Sequence, residues 1–238
     1  MNKENKMNFI QFLNEKYKEE LTEEEVKKII NEKCKNFDPE TPIWRGMSNS
    51  GDFVKITGEK GFRKSANTTN HYTVLIDHFS DNDAPLRSKS IICSTEKSYA
   101  KNFGNTVYVI VPYDDTIIGV VNNPDMWGLE VSFNSGYRGE IDELNVLYQN
   151  KGIKDISYET IKNGIIDLIK KEDEEIIEIF GDDVSKIDRE LHDAYHPESL
   201  HFDYMNTKQY SKYYNNSELW ISGPCIAIKE NKFKNLFD

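Results

Sequence analysis

From residue 43 onward the chain consists of short β-branched and aromatic runs, each bounded by turn residues. Runs of this kind are typical of β-strands that bury one face against a core. They restrict the fold to one built around sheets of short strands. We predict strands over residues 43–45, 72–79, 90–93, 106–111 and 116–121, and one strand or two over residues 221–228.

Helical patterns lie before and between these runs. Thr22 and Glu25 have the spacing of a capping box, and Val26, Ile29 and Ile30 follow at helical intervals. We also predict helices over residues 10–17, 95–103 and 157–171, with the apolar residues of the second, Tyr99, Ala100 and Phe103, on the core. The charged run 170–178 is interpreted as a solvated helix face.

These elements predict an α+β protein with two packed, mainly antiparallel sheets and with N-terminal and inserted helices. The length of 238 residues suits one sizeable domain. We place an N-terminal helical element at residues 1–37. The main domain is expected at residues 38–238, with a helical insertion at about 122–206.

Composition narrows the function classes. The net charge of −11 disfavours a protein that relies on non-specific attraction to phosphate backbones. Three cysteines without close spacing argue against a disulfide framework and favour reduced thiols in the cytoplasm. The chain shows neither a signal peptide nor a membrane span, so we expect a soluble cytoplasmic protein without a membrane partner.

Three fragments place a polar residue at the edge of a β-prone run. The first ends in Arg45 and Gly46, where a guanidinium can grip phosphate and glycine permits close approach to the backbone. The second contains Ser94 and Thr95, and the third contains Glu218 at a loop-to-strand junction. Each has a simpler interpretation: a strand-edge arginine, a helix cap and a solvated glutamate, respectively.

The ordered triple resembles the arginine–serine–glutamate family of ADP-ribosyltransferases, which includes clostridial exoenzymes, bacterial toxins and bacteriophage enzymes. The resemblance rests on the Trp-Arg-Gly start, on Ser94-Thr95 followed by Ala100 and Phe103, and on the segment around Glu218. It covers roughly residues 40–121 and 205–230. It implies an enzyme that cleaves NAD as co-substrate, without a metal, and transfers ADP-ribose to a protein or nucleic acid.

The resemblance also implies catalytic roles. Arg45 would contact the NAD phosphate and the nicotinamide ribose, and the Gly46 backbone would bind the nicotinamide amide. Ser94 would hydrogen-bond Glu218, with Thr95 supporting the turn. Glu218 would bind the ribose 2′-hydroxyl and stabilise the positive charge that develops as nicotinamide leaves.

Aromatic and amide residues near the triple are candidates for binding the ligands. Phe103 is the candidate to stack on nicotinamide, with core packing as its alternative. Tyr213 and Tyr214 are candidates to stack on the acceptor. Asn216 stands two residues before Glu218, where many protein-modifying relatives carry Glu or Gln. We expect its amide to orient the acceptor, the alternative being a turn residue.

Other features leave alternatives open. His192 and His196 have helical zinc-site spacing, but their charged surroundings favour a solvated helix end, and we predict no metal. The basic pairs Arg63-Lys64 and Arg87 with Lys89 are candidates for phosphate contacts. A bacterial toxin and a bacteriophage effector both fit, with a cognate inhibitor or antitoxin open as a partner. The alternative class is a non-catalytic binding module of the same fold.

Overall fold

The strands form one antiparallel sheet of nine strands in a computed structural model that describes residues 18–48, 50–57, 70–126, 156–174, 176–177, 183–210 and 214–237. The order across the sheet is β1-β3-β9-β5-β2-β4-β8-β6-β7. The strand bounds are β1 Lys18–Glu20, β2 Ile43–Met47, β3 Phe53–Ile56, β4 Ile91–Ser94, β5 Thr106–Pro112, β6 Ile117–Val121, β7 Phe202–Asn206, β8 Glu218–Ser222 and β9 Cys225–Lys229.

Helices flank this sheet. They are α1 Glu23–Lys33, α2 Asn70–Phe79, α3 Lys97–Ala100, α4 Tyr158–Ile169, α5 Ile187–Tyr195 and α6 Glu230–Phe237. Short 3-10 turns cover Arg87–Lys89, Lys101–Phe103 and Val184–Lys186. The predicted capping box is confirmed, because the Thr22 side chain accepts from Glu25 N and the Glu25 side chain accepts from Thr22 N. The predicted helix over 157–171 is confirmed as α4, which Ser157 caps.

The prediction of two separate sheets is wrong. The two groups of strands are joined into one sheet, because β2 pairs with β4 through Trp44 and Ser94. We call this junction the seam. On one side of the seam β2 pairs with β5 over five residue pairs, and on the other side β4 pairs with β8 over four. A single residue pair is therefore enough to make the sheet continuous.

Three apolar clusters surround the sheet. The helix-side cluster packs α2, α4 and α5 on the β4–β8–β6–β7 half, and its members include Tyr72, Ile92, Met126, Ile161, Leu191 and Trp220. The outer cluster packs α1 and α6 on the β3–β9–β5 half, and its members include Val26, Phe53, Val109, Ile226 and Phe233.

The third or inner cluster has buried members from the strands alone, including Ile43, Cys93, Ile110, Ile118, Leu219 and Ala227. These residues come from both sides of the seam and have no helix over them in the described parts of the chain. The inner cluster therefore forms one continuous apolar face that crosses the seam.

Residues 72–79 were predicted as a strand, and this prediction is wrong. They belong to the helix α2, whose residues Tyr72, Leu75 and Ile76 are buried in the helix-side cluster. The buried residues of this segment recur every three or four positions, as on one face of an α-helix. In a strand, buried residues would alternate with exposed ones.

The other predicted strands are confirmed within two residues at their ends. Residues 221–228 form parts of two strands, β8 and β9, which are separated at Gly223 and Pro224. The boundary at residue 37 stays a prediction, although β1 extends the sheet beside β3 and α1 packs on it. Within the expected insertion, β7 is a sheet strand that pairs with β6. The helix predicted over 10–17 lies outside the described residues.

Candidate functional site

The fold brings the backbones of the three motif residues together at the seam. Arg45 lies in β2 beside Trp44, which pairs with Ser94 at the end of β4. Ser94 is also the register partner of Glu218, the first residue of β8. Three short fragments that are distant in sequence therefore occupy neighbouring strands at one point of the sheet.

The Glu218 carboxylate is buried and accepts several hydrogen bonds. Its Oε1 accepts from Trp220 Nε1 at 2.7 Å, and its Oε2 accepts from Met126 N at 3.2 Å. The Glu218 side chain is 2% exposed. It shares the face of β8 with Trp220, in the helix-side cluster. The simpler interpretation, a solvated glutamate, is therefore wrong, and the carboxylate is held in one orientation.

Arg87 supplies the counter-charge of this carboxylate. Its Nη2 lies 3.2 Å from Glu218 Oε1, and its side chain is 7% exposed. The guanidinium also lies against the Trp220 ring, with Cζ 5.5 Å from the ring centroid. A neighbouring acid, Asp77, accepts from Ser88 N. Burial raises the pKa of Asp77, and its bonds to Ser88 and the positive charge of Arg87 oppose that rise.

Arg45 is half-buried and reaches the neighbouring strand. Its Nη1 donates to the Ile92 carbonyl oxygen of β4. Its Nε is buried and lacks a hydrogen-bond partner within the described part of the chain. Along β2, Arg45 alternates with Trp44 and shares its face with Ile43 and Met47 of the inner cluster. Arg45 and Glu218 therefore leave the sheet on different faces at the seam.

Ser94 and Thr95 fix the end of β4. Ser94 Oγ accepts from Glu96 N at 3.0 Å, where the hydrogen bond to Glu218 was expected. Thr95 N donates to Ser217 O at 3.0 Å, and Thr95 Oγ1 accepts from Ser217 N at 2.9 Å. The Ser94 hydroxyl thus closes a turn ahead of α3 and does not cap the helix, whose N-cap residue is Glu96, while Thr95 anchors the residue before Glu218.

Gly46 and Phe103 lie where β2 meets α3. A Cβ atom on Gly46 would lie 2.1 Å from the Ala100 carbonyl oxygen, so this glycine permits close packing of α3 on β2. Phe103 is 40% exposed and Tyr99 is 36% exposed. The expectation that these aromatic residues pack on the core is wrong. The exposed ring of Phe103 is compatible with stacking on a ligand.

The expected acceptor residues are only partly described. Asn216 is exposed and has a φ of +55°, which places it in a left-handed turn before β8. The segment is not extended there, so the alternation of side chains along a strand does not place Asn216 on the same side as Glu218. Tyr214 is half-buried and stacks on Tyr210 with ring centroids 6.0 Å apart. Tyr213 lies outside the described residues.

The remaining candidates lie away from the seam or outside the described residues. His192 and His196 stack with ring centroids 4.6 Å apart, and His196 Nδ1 accepts from Glu198 N. No group of three or more potential metal ligands occurs within the described ranges. In those ranges, too, every helix is too short or too polar to cross a bilayer. Arg63 and Lys64 belong to a range that is not described.

Sequence reasoning missed the surroundings of Glu218. The sequence indicates Arg87 only as one member of a basic pair and does not single out Trp220. The sequence carries only a weak signal for this contact. Neither local spacing nor composition indicates that the turn with Arg87 packs against β8, which lies far along the chain. Comparison with known family models, curated proteins and solved structures finds no match to this chain.

Proposed function

We propose that this protein is a mono-ADP-ribosyltransferase that cleaves NAD and transfers ADP-ribose to a macromolecular acceptor, a protein or a nucleic acid. The observation that carries the proposal is the convergence of Arg45, Ser94 and Glu218 on neighbouring strands at the seam. The order of the motifs along the sequence does not require their backbones to meet. Their meeting at the seam is therefore independent support for the proposal.

The two charged residues suit the two ends of the reaction. NAD carries a diphosphate and, some distance away, the ribose whose bond to nicotinamide breaks. Arg45 and Glu218 lie on neighbouring strands but leave the sheet on different faces, so binding of one dinucleotide to both requires it to reach around the strand ends at the seam. The buried Nε of Arg45, without a hydrogen-bond partner among the described residues, is a donor suited to a phosphate oxygen.

Glu218 would stabilise charge in the bond-breaking step. Nicotinamide departs with the electron pair of its bond to ribose, and positive charge develops on the sugar. The acceptor nucleophile then bonds to the same carbon and loses its proton. A carboxylate already oriented beside that charge lowers the barrier, because no reorganisation is needed during the reaction. Trp220 and Met126 N supply this orientation.

Access to the carboxylate is the condition for this role. Glu218 is covered in part by residues 122–126, since Asn123 O accepts from Glu218 N and Met126 N donates to the carboxylate. NAD binding therefore requires this segment to move. The same burial favours a second candidate, a non-catalytic protein- or nucleotide-binding module in which Glu218 has a structural role.

The setting is proposed from the same resemblance. We infer action in the cytoplasm, as a bacterial toxin or a bacteriophage effector. The buried free thiols of Cys34, Cys93 and Cys225 suit a reducing compartment. A cognate inhibitor or antitoxin would be the further partner of a toxin.

The test uses NAD labelled in its adenylate phosphate, incubated with the protein in a cell extract. Label should enter macromolecules, and digestion with protease or nuclease identifies the acceptor class. Glu218→Gln should lower transfer by about two orders of magnitude or more, because it removes the stabilising charge. Glu40→Gln, which neutralises an exposed carboxylate away from the seam, is the matched control and should retain activity.

Two results decide between the candidates. NAD binding by the wild-type protein without nicotinamide release would favour the binding module. Transfer by Glu218→Gln within a few-fold of the wild type would overturn the catalytic assignment of Glu218. Circular dichroism of both variants checks that the fold is retained.

A further inference from the structure

We propose that Arg87 is the positioning residue of the seam site, because its guanidinium fixes the Glu218 carboxylate in the orientation that transfer needs. The inference rests on the proposed function and adds a residue that lies outside the three motif fragments. Its basis is the ion pair between Arg87 Nη2 and Glu218 Oε1, separated by 3.2 Å.

Burial makes the two charges dependent on one another. The side chains of Arg87 and Glu218 are 7% and 2% exposed, so water does not replace either partner. Removing one partner of such a pair leaves an uncompensated buried charge. The orientation of the Glu218 carboxylate is therefore linked to the presence of Arg87.

The guanidinium is itself held by its surroundings. Arg87 lies against the Trp220 ring, and the indole of the same Trp220 donates to Glu218 Oε1. The next residue, Ser88, donates its backbone N–H to Asp77 of α2. Ser90 Oγ closes the turn by donating to Leu86 O at 2.7 Å. Arg87 is thus fixed from the helix, the turn and the strand.

These contacts favour positioning over two other roles. A phosphate anchor presents its guanidinium to the ligand, whereas Arg87 is buried and paired with a carboxylate. A blocking residue that swings away needs few contacts, whereas Arg87 is tied to Trp220 and flanked by the Asp77–Ser88 contact. Of the three roles, only positioning requires the ion pair between Arg87 and Glu218 to stay intact when NAD binds.

The test compares Arg87→Met, Arg87→Lys and Lys28→Met in a nicotinamide-release assay with NAD as the substrate. Arg87→Met should lower kcat by about 100-fold, because a small misplacement of a reacting group has an effect of this size. KM for NAD should change little. Arg87→Lys should recover part of kcat, since it restores charge without the planar fork. Lys28→Met, at an exposed position of α1, makes the same kind of change away from the turn and should match the wild type.

A stability measurement separates the pair from a general loss of packing. Arg87→Met alone should lower the melting temperature, and Arg87→Met combined with Glu218→Gln should recover part of that loss without recovering activity. Recovery indicates that the loss came from the unpaired charge of Glu218. If Arg87→Met does not fold, Arg87→Lys decides, with lower kcat at unchanged KM as the expected result.

The contrary outcomes are distinct. A higher KM at unchanged kcat would make Arg87 a phosphate anchor, and a higher kcat would make it a blocking residue; either overturns the inference. If Arg87→Met has the kcat of the wild type, the inference about Arg87 is overturned and the proposed function still stands. A wild-type protein that releases no nicotinamide overturns the proposed function and the inference together.

Discussion

At the scale of single residues, Thr95 joins the two strand ends that carry Ser94 and Glu218. Its Oγ1 accepts from Ser217 N at 2.9 Å, and its N–H donates to Ser217 O at 3.0 Å. Ser217 is fully buried, so its N–H depends on the Thr95 hydroxyl for a partner. The position of the following Glu218 therefore depends on Thr95.

Thr95→Val keeps the shape of the side chain and removes the acceptor for Ser217 N. We expect the free energy of unfolding to fall by about 1–3 kcal/mol, the cost of leaving a buried donor unsatisfied. On the proposed function, kcat for nicotinamide release should fall as well, because Glu218 loses its anchor. Urea unfolding and the release assay measure both effects. Thr95→Ser keeps the hydroxyl and is the control; an equal loss in both variants would contradict the argument.

The residues predictable from the sequence are those whose chemistry is local to a fragment. Arg45, Ser94 and Glu218 could be predicted as candidates because each lies in a recognisable run. Arg87 was not found as a partner of Glu218, because their contact depends on the packing of a turn against β8. Asn216 has a left-handed backbone, which fits the turn that the sequence left open as the alternative, and its role toward an acceptor stays a prediction.

At the scale of elements, the seam depends on how closely α3 approaches β2. A Cβ atom on Gly46 would lie 2.1 Å from Ala100 O and 2.8 Å from Gly104 N. Both are backbone atoms, so neither can rotate away. The resemblance implies that the Gly46 backbone binds the nicotinamide amide, but the described contacts of Gly46 already require glycine for packing.

Gly46→Ala should therefore destabilise the protein in the absence of NAD. We expect a loss of about 1–3 kcal/mol or more in the free energy of unfolding, as for other overpacked positions. Met47→Leu, a volume-conserving change at the next buried position, is the control and should cost less than about 1.5 kcal/mol. Urea unfolding without ligand measures both. Wild-type stability of Gly46→Ala with a raised KM for NAD would instead support a role in ligand binding alone.

Local patterns also account for which elements were predictable. The capping box of α1 and the apolar spacing of α4 depend on near neighbours, and both were predicted. Residues 72–79 were assigned by their β-branched and aromatic content, although the spacing of Tyr72, Leu75, Ile76 and Phe79 fits a helix. The spacing of apolar residues shows which face of a segment is buried. For residues 72–79 it predicts the secondary structure better than the β-branched and aromatic content does.

At the scale of the whole molecule, the inner cluster connects the two sides of the seam. Strand pairing across the seam is limited to Trp44 and Ser94, whereas the inner cluster draws buried residues from β5 on one side and β8 on the other. The continuity of the sheet could not be predicted from the sequence, because one long-range residue pair leaves no local pattern. Packing in the inner cluster should therefore make the two halves unfold together.

Ile110→Ala tests this coupling. Ile110 lies in β5 and is fully buried in the inner cluster, so its truncation should lower the free energy of unfolding by about 2–5 kcal/mol. If the halves unfold together, native-state hydrogen exchange should show the same loss of protection for the amides of β5 and of β8. Val184→Ala, at a 43% exposed position, is the control and should change stability by less than about 0.5 kcal/mol. Unchanged protection in β8, with a loss confined to β5 and its neighbours, would mean that the halves unfold independently and that the seam is a boundary between two cooperative units.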